Sequence, residues 1–136
     1  MFRNRRALFA VAALAIALPA AAHHSTAMFK WGEETPLTNA TVERWDWTNP
    51  HTFLYVRVPN KAGGTDLWAF EGMSPNHLSR NGWTKRTVNP GDKISLTYYP
   101  LKDGRKGGFN VSITFANGKT IRQLPKFAPP TAPQQQ

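Results

Sequence analysis

Ser74-Pro75-Asn76-His77-Leu78-Ser79-Arg80-Asn81-Gly82 is the stretch that decides the fold. Ser74 suits a helix N-cap, because its hydroxyl accepts a first-turn N–H that has no partner within the helix. Pro75 suits the first helical position, where its fixed φ is already helical and no N–H is needed. Gly82 suits the position just past the last turn, where the backbone turns left-handed. The stretch therefore predicts a two-turn helix over residues 75–81. On either side of it the pattern is that of β-strands.

Three strands are expected before the helix, over residues 38–47, 51–58 and 66–72. In the second, Thr52, Leu54, Val56 and Val58 share one face, and His51, Phe53, Tyr55 and Arg57 the other. Asn49-Pro50, Lys61-Ala62-Gly63-Gly64 and Asn89-Pro90-Gly91-Asp92 are turn signals. After the helix, residues 93–99 alternate with Ile94, Leu96 and Tyr98 inward. A glycine-rich loop then leads to a strand over residues 109–115, read with Val111, Ile113 and Phe115 on one face. Asn117-Gly118 signals a hairpin into a short sixth strand over residues 119–124.

Three strands, a short helix and two or three strands is the order of an OB-type barrel. The expected fold is mainly β, a small five- to six-stranded OB-like barrel with one short helix between strands three and four. A short Ig-like sandwich is the alternative, weakened by a helix in mid-series. The barrel domain is placed at residues 37–124, after a polar lead-in at 23–36. From Gln123 the chain is rich in proline and glutamine, and residues 125–136 read as a disordered or extended tail.

Residues 1–22 have the three parts of a secretory signal. Arg3, Arg5 and Arg6 are basic, Ala7 to Leu18 is apolar, and Pro19-Ala20-Ala21-Ala22 supplies a breaker and a small-residue cleavage site. The apolar run is shorter than the ~20 residues a bilayer span needs. The expected product is therefore periplasmic, with no transmembrane segment in the mature chain. Arg5-Arg6 also has the shape of a twin-arginine signal, an ordinary secretion signal being the favoured reading. The formal net charge of +9 includes these three arginines, so the mature excess is smaller and scattered. With no cysteine in the chain, disulfides, thiolate metal sites and a cysteine nucleophile are excluded.

Cleavage after Ala22 would expose His23 as the first residue, followed by His24. A free α-amine has a pKa of about 7.7–8.0, so it deprotonates for metal binding near neutral pH at small cost. Amine and imidazole together chelate one ion, and a distant imidazole completes a nitrogen set that suits Cu(II). Cleavage one residue earlier would put His24 third from a free amine, which also chelates copper or nickel. The third ligand expected is His51, which opens the second strand after Pro50. Glu71, at the end of the third strand, is read as the carboxylate that orients a ligand histidine. It is equally placed to cap the helix at Ser74, and Asp46 shares that ambiguity with a surface ion pair. His77, on the helix, is left out of the site.

The expected function is non-catalytic binding of a divalent metal, copper above all, for carriage, buffering or delivery to a membrane or periplasmic protein. Two histidines on a solvated terminus also need no function, and His51 alone also reads as a strand-edge residue. The alternative function is an accessory module that binds a small molecule, lipid or protein on an aromatic face of Trp45, Trp47, Phe53, Tyr55 and Trp68. Those side chains equally serve to fill a small barrel. Nucleic acid is not expected as a ligand of an exported protein. No nucleophile elbow, HExxH motif or phosphate-cradling loop is present, so catalysis is not expected, a copper redox enzyme being the least favoured reading.

The motifs His23-His24-Ser25, Trp47-Thr48-Asn49-Pro50-His51, Glu71-Gly72, Ser74-Pro75-Asn76, Gly82-Trp83 and Pro90-Gly91-Asp92 together resemble a family. It is a group of small exported bacterial proteins classed as domain-of-unknown-function 6152, and the likeness runs from His23 to about Ile121. The resemblance implies export and a compact β domain, and no activity. Family members typically carry an apolar residue where this chain has His77. The metal proposal rests on the residues alone.

Overall fold

A computed structural model describes residues 26–124. Its elements are a single 3-10 turn, Thr26–Met28, then β1 (Thr35–Asp46), β2 (Phe53–Pro59) and β3 (Thr65–Glu71). The helix α1 (Pro75–Arg80) follows, and β4 (Lys93–Pro100), β5 (Gly107–Phe115) and β6 (Thr120–Arg122) complete the order. Neighbouring strands run antiparallel in the order β3-β2-β1-β4-β5-β6, and a parallel pairing of β3 with β5 closes the first five into a ring. Strand order and helix position are those of the OB-like fold expected from the sequence.

The helix forms as its termini dictate. Ser74 Oγ accepts the His77 N–H at 3.2 Å, Pro75 occupies the first turn, and Gly82 turns at φ 80°. One apolar side chain of α1, Leu78, is fully buried, and with Trp83 and Val88 it joins the strand side chains of the core. The helix therefore covers the end of the ring at which β3 finishes.

Alternation places most of the interior as expected. Thr52, Leu54 and Val56 are buried from the β2 side, and Ile94, Leu96 and Tyr98 from β4. Three bulges then shift the pattern. Between Leu37 and Ala40 the extra residue brings Asn39 to φ 57°, a left-handed conformation that asparagine tolerates better than most residues. Between Val42 and Arg44 the extra residue leaves Glu43 and Arg44 both outside and returns Trp45 to the inner face opposite Leu54. In β5 the bulge falls at Val111, opposite the step from Thr97 to Tyr98. Bulges bend strands and add twist, which a ring this small requires.

The β5 bulge corrects the expected facing of that strand. Ile113 lies in the main core and Phe115 packs against it, but Val111 belongs to a second cluster with Phe29, Tyr99 and Phe109. This cluster lies on the outer face of β4 and β5, because Tyr99 follows the inward Tyr98 and pairs with Phe109. The lead-in covers it, so that segment is more than a polar connection. Phe29 bridges Leu101, Lys30 N–H donates to Pro100 C=O at 2.8 Å, and Lys102 N–H donates to Met28 C=O at 2.9 Å. Phe29 is 4% exposed, and Trp31 packs edge-on against Phe29 and Tyr99. Gln123, at the end of the barrel domain, is buried, and its Oε1 accepts the Met73 N–H at 2.8 Å.

Ring closure depends on two glycines. A Cβ on Gly107 would lie 2.1 Å from the Ala69 carbonyl oxygen, and one on Gly108 would lie 2.1 Å from that of Tyr99. Backbones approach closely there because no side chain intervenes. A further tie runs from Lys106 to Asp66, and Lys106 C=O accepts the Ala69 N–H at 3.3 Å. The Lys106 ammonium, and next the Asn60 amide, hold the Asp66 carboxyl below the usual range. The Arg105 backbone N–H and then its guanidinium do the same for Asp103.

Gly107→Ala is expected to lower stability by about 3 kcal/mol or more through overpacking, read as the urea midpoint; an unchanged midpoint would show that the ring does not need this contact. Acid should act through the two lowered carboxyls. Each adds stability above its unfolded pKa, and that contribution is lost as pH falls through the folded value. The urea midpoint should therefore hold from neutral pH down to about pH 4 and fall below it, with a shallower fall in Asp66→Asn.

Candidate metal site

His51 stands at the entry to β2, on the face it shares with Phe53 and Tyr55. The chain that carries it is held on both sides. Thr48 Oγ1 donates to the His51 carbonyl at 3.3 Å, and the Asn49–Pro50 peptide preceding it is cis. Thr52 is fully buried; its N–H and Oγ1 both donate to Met73 C=O, at 3.3 and 2.9 Å, and its own C=O accepts the Gly72 N–H at 2.8 Å. The imidazole therefore projects from backbone that is fastened to the end of β3.

Glu71 is the last residue of β3, paired with Phe53 across the β2–β3 ladder. Because Phe53 faces outward, Glu71 does too, and its Oε1 meets the His51 Nδ1. The Glu71 side chain is 9% exposed and that of His51 36%, so a covered carboxylate is paired with a reachable imidazole. An ionised carboxylate only accepts hydrogen bonds, so the contact matches the tautomer of a neutral ring that has its proton on Nδ1. A neutral ring held in that tautomer offers Nε2 to a metal. Glu71 thus contacts His51, and Ser74 caps the helix without it.

Gly72 makes this arrangement possible. A Cβ there would lie 2.6 Å from Thr52 Oγ1 and 2.7 Å from Gln123 Oε1. Thr52 and Gln123 were not candidates in the sequence reading. Thr52 was visible as an inward residue of the second strand, whereas Gln123 carried no local signal because its partner Met73 is fifty residues away.

From Glu71 the outer face continues toward the start of the described chain. Glu71 pairs with Phe109 across the parallel β3–β5 ladder, and the Phe109 ring lies 5.6 Å from that of Phe29. Met28 and Met73 both pack on the cluster built from Phe29 and Phe109. His23 and His24 lie outside the described residues. His24 precedes Thr26 by two residues, a span of at most about 7 Å. Among the described residues, no three His, Cys, Asp or Glu side chains gather as a metal-binding group.

The aromatic candidates divide between the two faces. Trp45 and Trp47 pack against the core, their rings 5.8 Å apart, and Trp45 lies 6.2 Å from Trp83. Trp68 packs inward, stacked on Phe70 at 6.2 Å and edge-on to Tyr98. The bulge at Glu43 is the reason Trp45 is inward. Only Phe53 and Tyr55 of the five stand on the outer face, 6.4 Å apart, with the Arg44 guanidinium 4.0 Å above the Tyr55 ring. Asp46 engages Arg44 at 2.8 Å, the surface ion pair foreseen as one of its roles. His77 sits on the helix, its N–H capped by Ser74.

Over residues 11–110 the sequence matches a family described as a family of unknown function, DUF6152. The chain belongs to this family. No curated protein and no solved structure matches it. The matched span of this DUF6152 protein includes the His51–Glu71 pair and reaches back over His23 and His24. Among the described residues, no helix is long and apolar enough to cross a membrane.

Gly72→Ala should force Thr52 and Gln123 apart and cost about 1–3 kcal/mol, measured by urea denaturation. Its His51 ring resonances should shift as well, which a distant core lesion would not cause. Unshifted His51 resonances would detach the imidazole from this packing.

Proposed function

We propose that this DUF6152 protein is an exported, periplasmic, non-catalytic binder of Cu(II) or a similar divalent ion through His23, His24 and His51. Its role is carriage, buffering or delivery to a membrane or periplasmic protein. The observation that carries the reading is the contact between His51 Nδ1 and the covered carboxylate of Glu71. A carboxylate on the far nitrogen fixes the tautomer, orients the ring and raises its basicity toward a metal.

The remaining ligands would come from the mature terminus. Signal cleavage releases an α-amine beside the His23 imidazole, which supplies two nitrogens at once. Two or three nitrogens, no thiolate and a neutral-pH amine suit Cu(II) more than a hard cation. The packing of Met28 and Phe29 onto the outer cluster supports a common face for the terminus and His51, because it anchors the chain a few residues after His24.

Intact mass of the mature protein identifies the cut site, and calorimetric titration with Cu(II), Ni(II) and Zn(II) then measures binding. Stoichiometric Cu(II) binding is expected, lost in His23→Ala and strongly weakened in His51→Ala. Glu71→Gln, which keeps the shape of the side chain, should weaken Cu(II) by about 10–100-fold. Unchanged binding in both histidine variants overturns the site, and unchanged binding in Glu71→Gln removes the carboxylate from it.

A further inference from the structure

The end of the ring opposite His51 carries a second feature. A cleft of about 530 Å³ opens where β2 and β5 finish, where β3 and β4 begin, and alongside the middle of β1. This is within the size range of small-molecule sites. Arg57, Thr41 and Lys93 cross it as a row, because Thr41 pairs with Arg57 on one side and with Lys93 on the other. Two strand spacings, about 10 Å, therefore separate the two cationic positions, with a hydroxyl between them.

Charge in this row is only partly balanced locally. Lys93 Nζ donates to Thr41 Oγ1 at 2.7 Å and has no carboxylate partner among the described residues. Arg57 uses its Nε on Glu43, which leaves the terminal guanidinium nitrogens for a further acceptor. No acidic residue lines the cleft. The nearby carboxylates are engaged elsewhere, Asp66 by Lys106 and Asp92 by the Asn89 N–H at 2.9 Å. Beside the row, Pro59 and Phe115 are the apolar lining side chains with open surface, Ala40 and Ile94 lying buried in the core beneath them.

We propose that this cleft binds a small organic carboxylate, its anionic group held between Lys93 and Arg57 and its apolar body laid against Pro59 and Phe115. A planar guanidinium recognises a carboxylate by paired hydrogen bonds, and an ammonium adds a point charge. The hydroxyl of Thr41 supplies a donor between them. The apolar wall selects against inorganic anions, and the cations select against neutral molecules of the same shape. Because His51 lies before β2 and Arg57 near its end, this binding is independent of the metal site.

The test is an NMR titration of the full-length chain with benzoate, compared with benzyl alcohol and inorganic phosphate. Benzoate should give saturable shifts of the Thr41, Lys93 and Phe115 amides, and the other two probes should bind at least about fivefold more weakly. Lys93→Ala should weaken benzoate about tenfold and Lys93→Arg should retain it. Arg57→Gln gives a second, independent reading of the anionic contact. Shifts that do not saturate, phosphate or benzyl alcohol binding as tightly as benzoate, or benzoate binding unchanged in both Lys93→Ala and Arg57→Gln would each overturn the proposal.

Discussion

A sheet that closes on itself needs a seam where strands far apart in sequence approach with no side chain between them. Here the seam is the parallel pairing of Ala69, Phe70 and Glu71 with Gly107, Gly108 and Phe109. Hydrogen occupies the Cβ positions of Gly107 and Gly108, and only hydrogen fits against the carbonyls of Ala69 and Tyr99. The seam hides the free edge of β3 and draws Glu71 beside Phe109. Without it the outer face of Glu71 would be open to water, and a covered carboxylate facing His51 would not exist.

The curvature that permits the seam has consequences of its own. Each bulge rotates the strand after it, so β1 presents Val42 and Trp45 inward with two charged residues between them. In β5 the same device puts Val111 outside, where an apolar side chain requires cover. Phe29, Trp31 and Leu101 supply that cover, and the lead-in becomes part of the fold. Burial of a Phe29-sized side chain contributes about 2–3 kcal/mol, enough to hold a short segment in place. The anchored segment is the one that His23 and His24 precede.

The two ends of the ring have different chemistry for a simple reason. At one end β3 runs into the helix, and Thr52, Gly72, Met73 and Gln123 close the backbone tightly around the His51–Glu71 pair. At the other end, among the described residues, no helix covers the strand termini, and a cationic row faces a cleft. The reachable imidazole of His51, backed by a carboxylate, suits a cation at the first end; Lys93, with no carboxylate partner among the described residues, and the remaining donors of Arg57 suit an anion at the second.

Strand positions, the helix with its cap, the inward sets of β2 and β4, and the OB-like order were readable from alternation and turn residues, because those are local signals with short periods. His51 and Glu71 were each readable as candidates for the same reason, falling at strand termini beside turns, but their meeting was not. The bulges were not, since a single extra residue leaves the composition of a strand unchanged while reversing its faces. Nor were the cover of Val111 by Phe29, the grip of Gln123 on Met73, or the Arg57–Thr41–Lys93 row, all of which join residues distant along the chain. The sequence by itself determined which elements form and which residues stand at their termini. Tertiary structure alone decided which side of each strand meets water, because facing depends on register between strands, and register is set only when the ring closes.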